Sequence, residues 1–122
     1  MQRLCDSFCY AFSGLRYLVC SQPNARIHLA IAVVVVAMGA WLGLPVRDWA
    51  VIVLVVGLVL TAEAFNTALE AVVDLCSPEP HPLAKVTKDV GAAAVLLAAL
   101  TSLIVGVLLL GPPLWARLFG AG

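Results

Sequence analysis

The chain has 122 residues, of which 63% are hydrophobic and 11% charged, with a mean hydropathy of +1.07. That composition excludes an ordinary soluble domain of this size and reads as a small integral membrane protein. Seven basic and seven acidic side chains cancel to zero formal charge, which excludes nucleic acid as a partner, because no basic face is present to neutralise a row of phosphates.

The expected architecture is all-α, a single membrane domain over residues 1–122. Residues 1–22 place Leu4, Phe8, Phe12, Leu15 and Val19 at helical spacing, with Arg3, Asp6, Ser13 and Arg16 elsewhere on the wheel. This pattern predicts an amphipathic helix lying in the membrane interface. It does not read as a cleaved signal peptide, since Asp6 interrupts it and no apolar core precedes a small-residue cleavage site. The first predicted span, residues 27–44 (IHLAIAVVVVAMGAWLGL), contains no acid, lysine or arginine and is expected to end at Leu44-Pro45.

The second span begins at Trp49 and is expected to run as one helix to about Cys76. The third helix is expected over residues 88–110, with the apolar stretch VGAAAVLLAALTSLIVGVLLL closed by Gly111-Pro112-Pro113. Each run approaches the ~20 residues that cross the hydrocarbon. A helix is the only form in which an isolated run satisfies its own backbone in lipid. Cys5, Cys9, Cys20 and Cys76 form no CxxC pair and lie in or beside apolar segments, so they read as small hydrophobes and not as zinc ligands.

Orientation follows from the basic residues. Arg3, Arg16 and Arg26 precede the first span and Lys85 and Lys88 lie between the second and third, whereas Arg47 and Arg117 fall on the other side. The N-terminus and loop 77–89 are therefore expected in the cytoplasm. Trp41, Trp49 and Trp115 are expected at the opposite interface.

The second span ends in TAEAFNTALEAVVD, residues 61–74. At about 100° per residue, Glu63, Asn66, Glu70 and Asp74 fall within a narrow sector of one helical face. At a rise of about 1.5 Å per residue, Glu63 lies roughly 10 Å deeper than Glu70 and about 16 Å deeper than Asp74. Asp74 reads equally as an interfacial charge. Glu63 does not, because an acid several turns below the surface carries a desolvation cost of ~3 kcal/mol or more and is a functional candidate by default.

The following loop, SPEPHPLAKVTKDVGAAAV, is stiffened by Pro78, Pro80 and Pro82 and offers Lys88 and Asp89 where the third helix is expected to begin. Lys88 suits an anionic ligand, and Asp89 suits either a helix N-terminus or a shared cation. Carboxylates, an amide and a lysine around one cleft are the hard oxygen ligands and positive charge that magnesium and nucleotide phosphates require. There is no GxxxxGK[ST] loop and no kinase-type GxGxxG. Periodicity alone leaves an enzyme and a proton- or cation-conducting oligomer, with Glu63 as relay, both open.

The run EAFNTALEAVVD followed by SPEPHPLAKVTKDVGAAAV, together with SFCYAFSGLRYL near the start and NARIHL before the first span, resembles the prokaryotic diacylglycerol kinase family, which includes undecaprenol kinases. The resemblance covers nearly the whole chain. It implies a homotrimeric helical bundle of three transmembrane helices and an amphipathic surface helix per subunit, in the inner (plasma) membrane, with active sites on the cytoplasmic side. It implies phosphoryl transfer from ATP, with Mg2+, to a membrane lipid alcohol, either undecaprenol or diacylglycerol. By the family pattern Glu63 matches the catalytic base, Glu70 a metal ligand, and Asn66 a member of the same polar cluster, with Asp74 at its outer end. Lys88 and Asp89 match nucleotide contacts, as do Glu70, Arg3 and Tyr10, while Glu79 and His81 match loop positions near the nucleotide. Gln22 stands where many members carry a metal-binding glutamate, so it keeps a carbonyl oxygen but removes a charge. Ala92 stands where some diacylglycerol-specific members carry serine.

Overall fold

The computed structural model describes residues 2–120 as four helices: α1 (Gln2–Ser21), α2 (Pro23–Leu42), α3 (Val46–Cys76) and α4 (Pro82–Phe119). Three of them, α2, α3 and α4, are long and apolar enough to cross a membrane. With 31 residues in α3 and 38 in α4, these helices are about 46 and 57 Å long and outrun a hydrocarbon core of ~30 Å. Their polar ends therefore stand clear of it.

Proline opens each of these helices. Pro23 and Pro82 occupy the first turn of α2 and α4 and Pro45 caps α3; there the missing N–H costs no intrahelical bond. Gly43, and not Leu44-Pro45, ends α2. It adopts a left-handed conformation (φ 71°), and the Gly43 and Leu44 N–H groups donate back to the Ala40 and Gly39 carbonyls. Leu44 and the Trp49 ring then close over Gly39, at 3.1 and 3.2 Å from where a β-carbon would stand.

α2 also begins at Pro23 and not at Ile27, and α3 at Val46 and not at Trp49, because each helix starts at or just after a proline. The largest differences from the expected boundaries are at α4. The helix starts at Pro82, six residues before the expected start, because Lys85, Lys88 and Asp89 lie on its solvated first turns instead of in a loop. Polarity there marks the aqueous end of the helix and not its beginning. The helix also runs through Pro112 and Pro113 to Phe119. Proline's φ is compatible with a helix, but each of the two removes an intrahelical donor and crowds the carbonyl four residues earlier, at a cost of ~3 kcal/mol. In the last turns the Trp115 and Phe119 rings meet at a 40° tilt with centroids 4.5 Å apart, and the Arg117 guanidinium lies 5.2 Å from the centre of the Trp41 ring.

The most extensive pairing is between α3 and α4. Ile52, Val59, Glu63 and Thr67 are buried on α3, and Gly91, Val95 and Ala98 on α4. The Ser102 hydroxyl donates to the Val55 carbonyl across this seam at 3.2 Å, so the two helices share a hydrogen bond as well as small-residue packing. The outer faces of all three long helices stay apolar and exposed, Val33, Leu54 and Leu97 among them, as lipid or further protein requires. On α1, Leu4, Phe8, Phe12 and Leu15 are exposed as well, and Leu18 in its last turn is buried.

Candidate active site

Helical periodicity brings Glu63, Asn66, Thr67, Glu70 and Asp74 onto the face of α3 that meets α4. Burial decreases along that face. Glu63 is 2% exposed, Thr67 is buried, Asn66 and Glu70 are intermediate, and Asp74 is exposed. Among the described residues, the buried side-chain oxygens without a hydrogen-bond partner are Glu63 Oε1, Asn66 Oδ1 and Thr67 Oγ1. All three lie within little more than one turn of α3. Buried oxygens are normally paired, and a group of unpaired ones calls for a functional reason.

The Asn66 amide donates to Glu70 Oε1 at 3.2 Å, an i,i+4 contact that ties the middle of the face together. Gly91 of α4 is what lets Asn66 sit there, because a β-carbon at that position would overlap Asn66 Oδ1. Glu70 has no cationic partner among the described residues.

Two residues that helical periodicity of the acids does not single out join this group. Thr67 lies about 40° from Glu63 on the wheel, and its neutral side chain gives no charge signal. His28 of α2 is the other. Its Nε2 stands 3.3 Å from Glu63 Oε1, with the ring 20% exposed. The ring N–H is not aimed at the oxygen, so this is a close electrostatic contact and not a hydrogen bond, and Oε1 stays unpaired. The one signal in the sequence was a histidine inside an otherwise uncharged apolar run.

Two cavities flank the stripe. One, of about 570 Å³, lies among α2, α3 and α4; its side-chain lining is apolar apart from His28 and Ser102. The other, of about 610 Å³, lies at the start of α4 and is lined by Asp74, Glu79, His81, Lys85, Lys88 and Asp89 with neighbouring prolines. Lys88 Nζ donates to Asp74 Oδ1 across the α3–α4 seam, and Lys85 Nζ to Asp89 Oδ2 along α4. His81 caps α4, its Nδ1 accepting from the Leu83 N–H at 3.2 Å, and the Glu79 carbonyl accepts from Ser77 Oγ at 2.9 Å.

The structure thus brings Asp74, Glu79, His81, Lys88 and Asp89 to one polar cleft, and Glu63, Asn66 and Glu70 to the stripe beneath it. Arg3 and Tyr10 are exposed on α1 and do not line the cleft. Gln22 caps α2 through its backbone and makes no side-chain capping bond, which leaves its carbonyl oxygen available. Among the described residues no three histidine, cysteine, aspartate or glutamate side chains form a ready-made metal cage.

Residues 9–110 match the family described as prokaryotic diacylglycerol kinase. The chain belongs to the prokaryotic diacylglycerol kinase family. It is 47% identical over 109 residues to a diacylglycerol kinase from Synechocystis sp. (strain ATCC 27184 / PCC 6803 / Kazusa), a match covering 88% of this chain and 62% of that relative's length. It is 36% identical over 114 residues to the undecaprenol kinase of Bacillus subtilis (strain 168), covering 93% of each chain. It is also 33% identical over 101 residues to the diacylglycerol kinase of Escherichia coli (strain K12), covering 83% of each. This family consists of lipid kinases, so an enzyme and not a passive carrier is the relevant frame for the buried acids.

Proposed function

We propose that the protein is an ATP- and magnesium-dependent lipid kinase that phosphorylates the hydroxyl of a membrane lipid alcohol, undecaprenol or diacylglycerol. The observation that carries this reading is the run of unpaired buried oxygens from Glu63 to Thr67 leading out to the polar cleft at Lys88 and Asp89. A stripe that begins in apolar surroundings and ends at water suits a substrate whose tail is hydrocarbon and whose reacting oxygen must meet a triphosphate.

In this mechanism Glu63 is the base. A lipid hydroxyl is a weak nucleophile, and a carboxylate held in a dry bundle takes its proton as the oxygen attacks the γ-phosphorus. The bond to ADP breaks as the new P–O bond forms, and ADP leaves with the electron pair. Lys88 exchanges Asp74 for the phosphates and neutralises charge that builds there. Asp89, Glu79 and His81 line the same cleft and contact the nucleotide, while Arg3 and Tyr10 of α1, which stand outside that cleft, are proposed as contacts to the part of the nucleotide that projects from it. Asn66 holds Glu70 in place and offers Oδ1 as a further acceptor.

The donor set fits magnesium. Glu70, which pairs with no cation among the described residues, would hold the ion, with the uncommitted Gln22 side-chain carbonyl as a proposed second donor, and magnesium needs only one or two protein ligands when phosphates complete its shell. Bound there, it would neutralise phosphate charge during transfer. Because each span leaves a broad apolar face exposed, we further propose that the working form is a homotrimer in the inner membrane, with α1 lying on its cytoplasmic surface and the active site on that side.

The test is direct. Purified protein is incubated with labelled ATP, magnesium and a panel of undecaprenol, diacylglycerol and ceramide, and the phosphorylated lipid is identified. Transfer to one of the first two supports the reading; transfer to none of the three overturns it.

A further inference from the structure

Glu63 is nearly sealed from solvent and lacks a hydrogen bond at Oε1. A carboxylate in that situation has two needs if it is to act as a base. One oxygen must be held, so that the group keeps a single orientation, and the other must be left for the incoming hydroxyl. The groups facing it are few. On its own helix the nearest hydroxyl is that of Thr67, one turn away, which makes no hydrogen bond. The nearest ionisable side chain in the stripe is Glu70, two turns away, and α4 brings to its buried face Gly91, Val95 and Ala98, none of which can donate from a side chain. From α2 comes His28, whose Nε2 is 3.3 Å from Oε1.

We propose that His28 is the positioning residue of the base: its Nε2–H turns onto Glu63 Oε1 in the reacting complex and leaves Oε2 to take the proton of the lipid hydroxyl. This rests on the kinase reading above. The remaining misalignment is one of angle, not of reach, and a small rotation of the imidazole or the carboxylate closes it. A neutral imidazole suits the task better than lysine or arginine, because it gives a directed hydrogen bond without a full positive charge that would weaken the base. The ring also lines the apolar cavity among α2, α3 and α4, so it forms the boundary between that cavity and the acid.

The test compares His28→Leu, which removes the donor at similar bulk, with His28→Gln, which keeps an N–H donor on a flexible arm. Turnover, KM for ATP and lipid, and thermal unfolding are measured in detergent–lipid micelles. The expected result is a fall in kcat on the order of 10²-fold for His28→Leu, the scale of a misplaced reacting group, with the KM for ATP unchanged. His28→Gln recovers most of that loss, and both variants unfold near the temperature of the parent. A His28→Leu variant with parental kcat, a loss confined to KM, or a His28→Gln variant as slow as His28→Leu overturns the proposal. If the unaltered chain phosphorylates no lipid, the kinase reading fails and takes this one with it; a working kinase indifferent to His28 sinks this one alone.

Discussion

Gly91 on α4 and Asn66 on α3 share one space: a β-carbon at residue 91 would fall where the Asn66 Oδ1 lies. The atom in the way is the end of a side chain that can rotate, so Gly91→Ala is expected to cost only about 1 kcal/mol of stability, the low end for overpacking. Rotation of Asn66 breaks its bond to Glu70, however. Activity should therefore fall at least on the order of 10-fold while the unfolding temperature drops by only about 4 °C. Parallel kinase assays and thermal unfolding check this, and parental activity in Gly91→Ala would show that the Asn66 placement is incidental.

The role given to Glu63 makes a sharper demand. Glu63→Gln preserves shape and removes the base, so phosphate transfer should drop on the order of 10²–10⁴-fold, the usual contribution of general base catalysis. Size-exclusion chromatography in detergent should give the parental profile. Normal turnover would refute the assignment, and loss of assembly with intact residual activity would make Glu63 a packing residue.

The metal proposal predicts a gain as well as a loss. Chelation should abolish transfer and added magnesium restore it. Gln22→Glu adds a charged oxygen donor beside α2 and should lower the magnesium concentration for half-maximal activity on the order of 10-fold, equivalent to about 1.4 kcal/mol. Glu70→Gln should raise it. A magnesium titration that Gln22→Glu leaves unmoved places the metal away from α2.

The α2–α3 turn offers a test of the fold that is independent of function. Gly43 has φ 71°, a conformation that costs an L-residue about 1–2 kcal/mol. Gly43→Ala should destabilise the protein by that amount, read as a lower unfolding temperature, with kcat for the remaining folded protein unchanged. An unchanged unfolding temperature would mean that this turn is not held in the left-handed form.

Much of this molecule is local, and what is local was legible in the chain. Apolar runs of membrane length dictate α2, α3 and α4, because in lipid only a helix satisfies the backbone from within the same segment. The 3.6-residue repeat alone puts Glu63, Asn66, Glu70 and Asp74 on one face, and the cost of submerging an acid marks Glu63. The family resemblance added roles to those positions, and the match over residues 9–110 bears out the family. The tertiary structure decided what depends on how helices cross. His28 meets Glu63 only because α2 lies against α3, a contact between residues far apart in the chain that no spacing within one helix encodes. The fit of Gly91 to Asn66 likewise belongs to the α3–α4 seam. The passage of α4 through Pro112 and Pro113 and the Trp41–Arg117 contact beyond them were also not legible, because local rules end a helix at such a pair.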